Sequence, residues 1–178
     1  MVLYGPPAAG KATVGRVLAD QTGYRLLDNH VSIDAARHLF DFGARGFWPT
    51  VRDLRLALVC RAAEYAVDII TTFVFSPIDE QDRRFLTEIR DIVEAAEGVT
   101  HFVQLRAPIE VLKARVVLPS RVEAAKLTDP AQLRAVVEQF DLYSRLGADD
   151  LSIDTSEIEP AAAADRIRQH LRLDRAQP

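Results

Sequence analysis

The chain lacks the features that define several large protein classes. It has one cysteine, Cys60, so no intrachain disulfide can form and nothing suggests a bridged, secreted scaffold. Cys60 sits in an apolar helical pattern and reads as a buried core residue. No stretch approaches the roughly 18 apolar residues that cross a bilayer. Gly5-Pro6-Pro7 interrupts the start before a leader-like apolar run can develop. The expectation is a soluble cytoplasmic protein. Basic charge is not in excess: the net charge is −4, which argues against a general affinity for nucleic acid. No repeat, linker or low-complexity segment appears. Asn-Lys-x-Asp and Gly-x-Gly-x-x-Gly are both missing, which argues against a GTPase and a dinucleotide dehydrogenase.

What is present is an alternation. Val2-Leu3-Tyr4 is a short apolar strand, followed by a helix with Val14, Val17 and Leu18 on one face and Gly23 as its stop. Tyr24 to Leu27 reads as a second strand. A helix then carries Ile33, Ala36, Leu39 and Phe40, and a longer one opens at Pro49 with Leu54, Leu58, Ala62 and Tyr65 at helical spacing. Asp68 to Phe75 is a β-branched and aromatic run of the kind buried on both faces of a parallel sheet. Ser76, Pro77 and Asp79 predict a capped helix start, with Phe85, Ile89, Ile92 and Ala96 on its apolar face. Thr100 to Leu105 is a fourth strand and Pro108 to Val117 a helix. Leu118 to Thr128 is polar and irregular. Asp129-Pro130 starts another helix, Leu151 to Ile153 is a fifth strand, and Ala161 to Leu171 a closing helix. Strands alternating with helices predict one α/β domain over residues 1–178, a parallel sheet covered on both faces.

The first turn carries the strongest chemistry. Gly5-Pro6-Pro7-Ala8-Ala9-Gly10-Lys11-Ala12-Thr13 follows a strand and opens an amphipathic helix, the context of a Walker A phosphate loop. Gly5 and Gly10 allow a tight turn, and successive backbone N–H groups and the helix N-terminus then face an anion. Lys11 supplies a full positive charge for the β- and γ-phosphates. The residue after Lys11 is ordinarily Ser or Thr, a ligand to Mg²⁺. Here it is Ala12, and Thr13, one residue later, faces elsewhere and suits the α-phosphate.

On these residues the chain resembles the small-molecule and nucleoside-monophosphate kinase branch of P-loop proteins, which includes adenylate, gluconate and shikimate kinases. Gly10-Lys11-Ala12-Thr13 is similar to the adenylate kinase frame, which also has a non-hydroxyl residue before its Thr. From Tyr4 to about Asp154 the chain looks like uncharacterised bacterial proteins labelled shikimate-kinase-like or AAA family ATPase. The resemblance implies a three-layer α-β-α fold with a five-stranded parallel sheet in the order 2-3-1-4-5. It also implies a short basic lid at about 118–129, and ATP with Mg²⁺ as donor.

The resemblance directs attention to particular side chains. Asp28-Asn29-His30 follows strand two, where strand ends line the ligand crevice. Shikimate kinases carry Asp-x-Asp there for the acceptor hydroxyl. Asp28 matches the first acid and His30 replaces the second. The alternative is that Asp28 and Asn29 cap the next helix and His30 is a packed core residue. Arg52 matches the arginine that pairs with the substrate carboxylate in shikimate kinases, or is an exposed helix arginine paired with Asp53 or Glu64. Phe47 and Trp48 either wall the acceptor pocket or belong to the core, and the core reading is preferred. Arg121 is the candidate lid arginine, with Lys126 close behind, and Arg115 the candidate nucleotide contact at the lid base. Asp154 follows strand five, where relatives contact adenine. Strand three ends in Phe75-Ser76-Pro77, without the Gly-rich turn that binds shikimate and without a Walker B acid.

The expected function is therefore an ATP-dependent kinase acting on an unidentified small molecule, with Lys11, Asp28 and Arg121 as catalytic groups. Gly5, Pro6, Ala8, Ala9, Gly10, Ala12 and Thr13 bind the nucleotide with Lys11, Arg115 and Asp154. Asp28, Asn29, His30 and Arg52 bind the acceptor, and the metal ligands are not assigned. The alternatives are a nucleotide-binding regulatory protein without transfer activity and a simple NTPase.

Overall fold

The structure is a computed structural model and describes residues 1–123 and 126–173. Residues 124 and 125 of the expected lid, and 174–178 of the expected domain, lie outside the described residues. Five strands form one parallel sheet: β1 (Val2–Tyr4), β2 (Arg25–Leu27), β3 (Ile69–Phe73), β4 (Phe102–Arg106) and β5 (Leu151–Asp154), in the order β2-β3-β1-β4-β5. Strand β1 sits in the middle, with Leu3 beside Thr72 on β3 and Val103 on β4.

Alternation along the strands sets the layers. Leu3, Val103 and Leu105 face one core, shared with α1 (Lys11–Thr22), α5 (Ile109–Val116), α7 (Pro130–Gln139) and α8 (Pro160–His170). Val2, Tyr4, Phe73 and Phe102 face the other, against α3 (Phe47–Glu64) and α4 (Glu80–Ala95). A smaller cluster of Ile33, Ala36, Phe47 and Val51 seats α2 (Asn29–Arg37) on α3. Burying a side chain such as Leu3 or Leu105 contributes about 1.5–3 kcal/mol, so the strands bearing the site are firmly fixed.

Several sequence expectations need correction. In α3 the buried residues are Phe47, Val51 and Val59, whereas Leu54, Leu58 and Tyr65 are exposed. Cys60 is exposed as well. This helix is apolar around most of its circumference, so spacing alone does not select its inner face. The cap of α4 is Asp79, whose carboxylate accepts from Gln81 N. Ser76 instead donates its hydroxyl to Phe140 O and its backbone N–H to Asp82. The segment after α5 is not wholly irregular, since Pro119–Glu123 forms the short helix α6.

Candidate active site

The phosphate loop is shaped by three left-handed residues. Gly5 has φ 134°, Ala8 64° and Gly10 86°. At Gly5 the requirement is absolute, because a Cβ there would lie 2.0 Å from Leu105 O on the adjoining strand. Ala8 holds a conformation that an L-residue adopts only under constraint from its surroundings. Gly10 caps α1 and leaves the first N–H groups of that helix facing the cleft.

Lys11 folds back over this loop, its Nζ donating to Gly5 O at 2.8 Å and Pro6 O at 2.7 Å. Burial, reinforced by the positive charge of Arg121, lowers its pKa to about 7; Asp28 acts in the opposite direction. The lysine is therefore short of negative charge and its environment favours an anionic ligand.

The cleft above the loop has a volume of about 1190 Å³ and runs between two ends. At one end the loop meets the segment after β5, from Thr155 to Pro160. Thr155 joins the two: its Oγ1 lies 3.1 Å from Ala9 O and accepts from Arg115 at 3.0 Å. Arg115 also donates to Thr155 O at 2.5 Å, so it fastens the base of the cleft while its side chain lines it. Asp154 is not among the lining residues. Its Oδ1 accepts from Ser156 N and Ser156 Oγ, and its other oxygen lies 3.8 Å from Arg106.

At the other end lie Asp28, Asn29 and His30. Asp28 occupies the cap position of α2 but makes no side-chain cap hydrogen bond. One carboxylate oxygen accepts from Thr72 Oγ1 at 2.8 Å and the other from Lys126 Nζ at 3.2 Å. The helix-cap reading of Asp28 is thus set aside. Burial alone would raise its pKa, but the Thr72 hydroxyl and the Lys126 charge hold it below the ordinary carboxylate value. Thr72 also accepts from Asn29 N at 2.9 Å. His30 is partly buried and its pKa is lowered, chiefly by burial and then by Lys126, which favours the neutral imidazole. His30 Nδ1 and Asn29 Oδ1 are both buried without a hydrogen-bond partner.

Arg52 does not reach the cleft. Its guanidinium pairs with Glu88 on α4 and with Asp53. Arg55, one turn later, lies beneath Asn29, donating to Ser32 Oγ at 2.8 Å and Asn29 O at 3.2 Å. Arg121 lines the cleft and is steadied by a hydrogen bond to Leu127 O at 3.0 Å. Trp48 is not a core residue. It is 49% exposed and lines the cleft, whereas Phe47 beneath it is fully buried.

The groups missed by sequence reasoning are Thr72 and Thr155. Each is one of two adjacent hydroxyl residues at or just beyond a strand end, and only the position of its strand beside β1 or β4 distinguishes it from any other threonine. The Lys126–Asp28 pairing was likewise invisible.

ATP fits this cradle: the loop's left-handed residues, the buried lysine and the helix N-terminus are all suited to a polyphosphate. A protein-borne Mg²⁺ site is not evident. Ala12 has no ligand atom, Asp28 is already held by Thr72 and Lys126, and no group of three or more His, Cys, Asp or Glu suited to a metal occurs among the described residues.

Fold and cleft together define a P-loop nucleotide-binding protein. Comparison with curated proteins makes the family specific. The chain is 30% identical to a shikimate kinase of Ruegeria pomeroyi, over 94% of this chain and 82% of that one. It is 29% identical to a shikimate kinase of Thermobifida fusca, over 96% and 93%. The chain belongs to the shikimate kinase family of P-loop kinases, which are ATP-dependent. No family model matches it. Among solved structures it shares its fold with a shikimate kinase from Acinetobacter baumannii in complex with shikimate. That match has a TM-score of 0.65 and 23% identity, covering 96% of this chain and 91% of the other. It also shares its fold with a tunicamycin resistance protein of Deinococcus radiodurans, with a TM-score of 0.62, 21% identity, and coverage of 100% and 98%.

Proposed function

We propose that this protein transfers the γ-phosphoryl group of ATP to a hydroxyl of a small molecule other than shikimate. The observation that carries the reading is Asp28. Its carboxylate leaves the helix cap and is held between Thr72 and Lys126, facing the same cleft as Lys11. Lys11, the loop N–H groups and Arg121 hold the polyphosphate and offset charge on the transferring group. Arg115 and the segment after β5 bound the nucleoside end. Asp28 orients the acceptor hydroxyl and takes its proton as the new P–O bond forms, a step that needs no strong base when proton loss is late. With Ala12 in the usual ligand position, a magnesium ion arriving with ATP would draw its ligands chiefly from phosphates and water, and would supply charge neutralisation on the phosphates.

Two features support an acceptor other than shikimate. Strand β3 runs into Phe75-Ser76-Pro77 rather than a Gly-rich turn, and Arg52 is engaged by Glu88.

The test is ADP release across a panel of hydroxyl acceptors, with ATP affinity measured alongside by calorimetry. Acceptor-dependent release that falls by about 10²–10⁴-fold in Asp28→Asn, with ATP binding retained, is the expected result. Full transfer by that variant would remove Asp28 from the mechanism. A second reading, a nucleotide-binding protein without transfer, is favoured by Ala12 and by the missing Walker B acid after β3. It predicts tight ATP binding and no acceptor-dependent release.

A further inference from the structure

The acceptor end of the cleft has a wall that the fold does not require. Trp48 is 49% exposed and Phe42 is 63% exposed, yet neither is loose. Their rings meet edge-to-face at 5.4 Å, and both rest on the fully buried Phe47, at 5.0 and 5.1 Å. A core ring thus holds two aromatic surfaces in place while leaving them open to the cleft, which both line. Such a surface gains from being covered by a flat apolar face.

The guanidinium groups that α2 and α3 carry here already have partners. Arg37 lies 3.2 Å from Asp34 and over the Phe42 ring at 5.5 Å. Arg52 is on Glu88, and Arg55 is committed to Ser32 and Asn29. A carboxylate on the acceptor would have to compete with one of these contacts. The floor, by contrast, is lined by two polar side chains, Asn29 and His30, whose Oδ1 and Nδ1 atoms are shut away from the cleft without hydrogen-bond partners, so that either side chain gains by turning toward a ligand. Hydroxyl groups supply what these atoms lack.

Building on the kinase reading above, we infer that the acceptor is an uncharged ring alcohol, a glycoside or a nucleoside, whose flat face packs on Trp48 and Phe42 while its hydroxyls reach Asn29 and His30. Both classes share this chemistry, and neither carries a carboxylate.

Trp48 is the only tryptophan in the chain, so its fluorescence reports occupancy of this wall directly. The experiment titrates the ADP-loaded protein with methyl pyranosides, pyrimidine nucleosides and shikimate, then repeats the series as an ADP-release assay with ATP. Saturable fluorescence changes with a pyranoside or a nucleoside, and none with shikimate, are expected; the class that responds identifies the source. Trp48→Ala raises the KM of the responding acceptor by about tenfold, with kcat and ATP affinity little changed, and Trp48→Phe restores most of the loss. A response to shikimate alone, no response to any of the three classes, or an unchanged KM in Trp48→Ala overturns the inference. Fluorescence saturation by a neutral ring compound without ADP release would uphold it and defeat the kinase reading. ADP release with shikimate alone would do the reverse.

Discussion

Lys126 Nζ lies 3.2 Å from Asp28 Oδ2, and the two residues are 98 positions apart in the chain. The pair links the segment after α6 to the end of β2, and it does so over the cleft floor. It also sets the proton affinity of Asp28, whose pKa the Lys126 charge and the Thr72 hydroxyl hold down against burial. In Lys126→Met that restraint is lost and the Asp28 pKa rises. The acid limb of the kcat/KM profile should then move to higher pH, while Lys126→Arg keeps it near its original place. An unshifted acid limb in Lys126→Met would show that Asp28 is not the group titrating there.

Lys11 gives a second pH signature. Its pKa near 7 in the folded protein lies well below the ordinary lysine value of 10.5. Polyphosphate beside it raises that value again, so nucleotide binding above pH 7 takes up a proton. Between pH 8 and 9 affinity should fall with rising pH, by up to about tenfold per unit. Calorimetry in two buffers of different ionisation heat measures the uptake directly, and Lys11→Met abolishes it along with most of the affinity.

The same depressed pKa carries a stability cost. The unfolded chain binds the Lys11 proton more tightly than the folded one, so the cost is fully present below pH 7. It is relieved as pH rises from about 7 toward the unfolded value. Lys11→Met should therefore be more stable than the wild type at neutral pH, with Tm higher by about 2–4 °C per kcal/mol recovered. The pH-dependent gain should also disappear from its Tm profile. A lower Tm for Lys11→Met would contradict the burial argument.

Gly5→Ala tests the loop's seat on the sheet. The added methyl would stand 2.0 Å from Leu105 O in a backbone conformation that alanine resists. Either β4 shifts or the loop does, at a cost of roughly 3–5 kcal/mol. Denaturant unfolding and ATP titration should both register the change, whereas a variant with native stability would mean that the loop relaxes freely.

Removing the Thr155 hydroxyl in Thr155→Val leaves Arg115 without one acceptor and Ala9 O without its side-chain contact. Hydrogen bonds to a charged group are worth about 1.5–3 kcal/mol. ATP affinity should weaken about tenfold while the acceptor KM stays level, and the double variant with Arg115→Met should cost less than the sum of the two single variants.

Some of this was legible in the sequence for a physical reason. The phosphate loop is a contiguous stretch whose glycines, lysine and flanking apolar strand act locally, so Gly5 to Lys11 could be read directly. The strand–helix alternation is likewise a periodic property. The inner face of α3 was not legible, because Leu54 and Leu58 compete on equal terms with Val51 and Val59 until α2 and α4 dock. Nor was the fate of Arg52 and Arg55, one turn apart on one helix: Glu88 from another element claims the first, and Ser32 with the Asn29 carbonyl claims the second. For Trp48 the sequence leaves pocket wall and core both open, because an aromatic residue beside a buried Phe47 reads as core unless the cleft is known. Thr72 acquires meaning only when Asp28 arrives beside it from 44 residues away.

The Thr155–Ala9 contact has a consequence for how the molecule comes into being. The loop residues emerge at the start of synthesis, but a clasp on them is made 146 positions later. It must await the docking of β5, a long-range closure of the kind that slows folding. A nascent or truncated chain ending before β5 would carry every residue of the motif without this support. The phosphate loop thereby gains its last contact only once the sheet is complete, and the contact is an internal record of that completion.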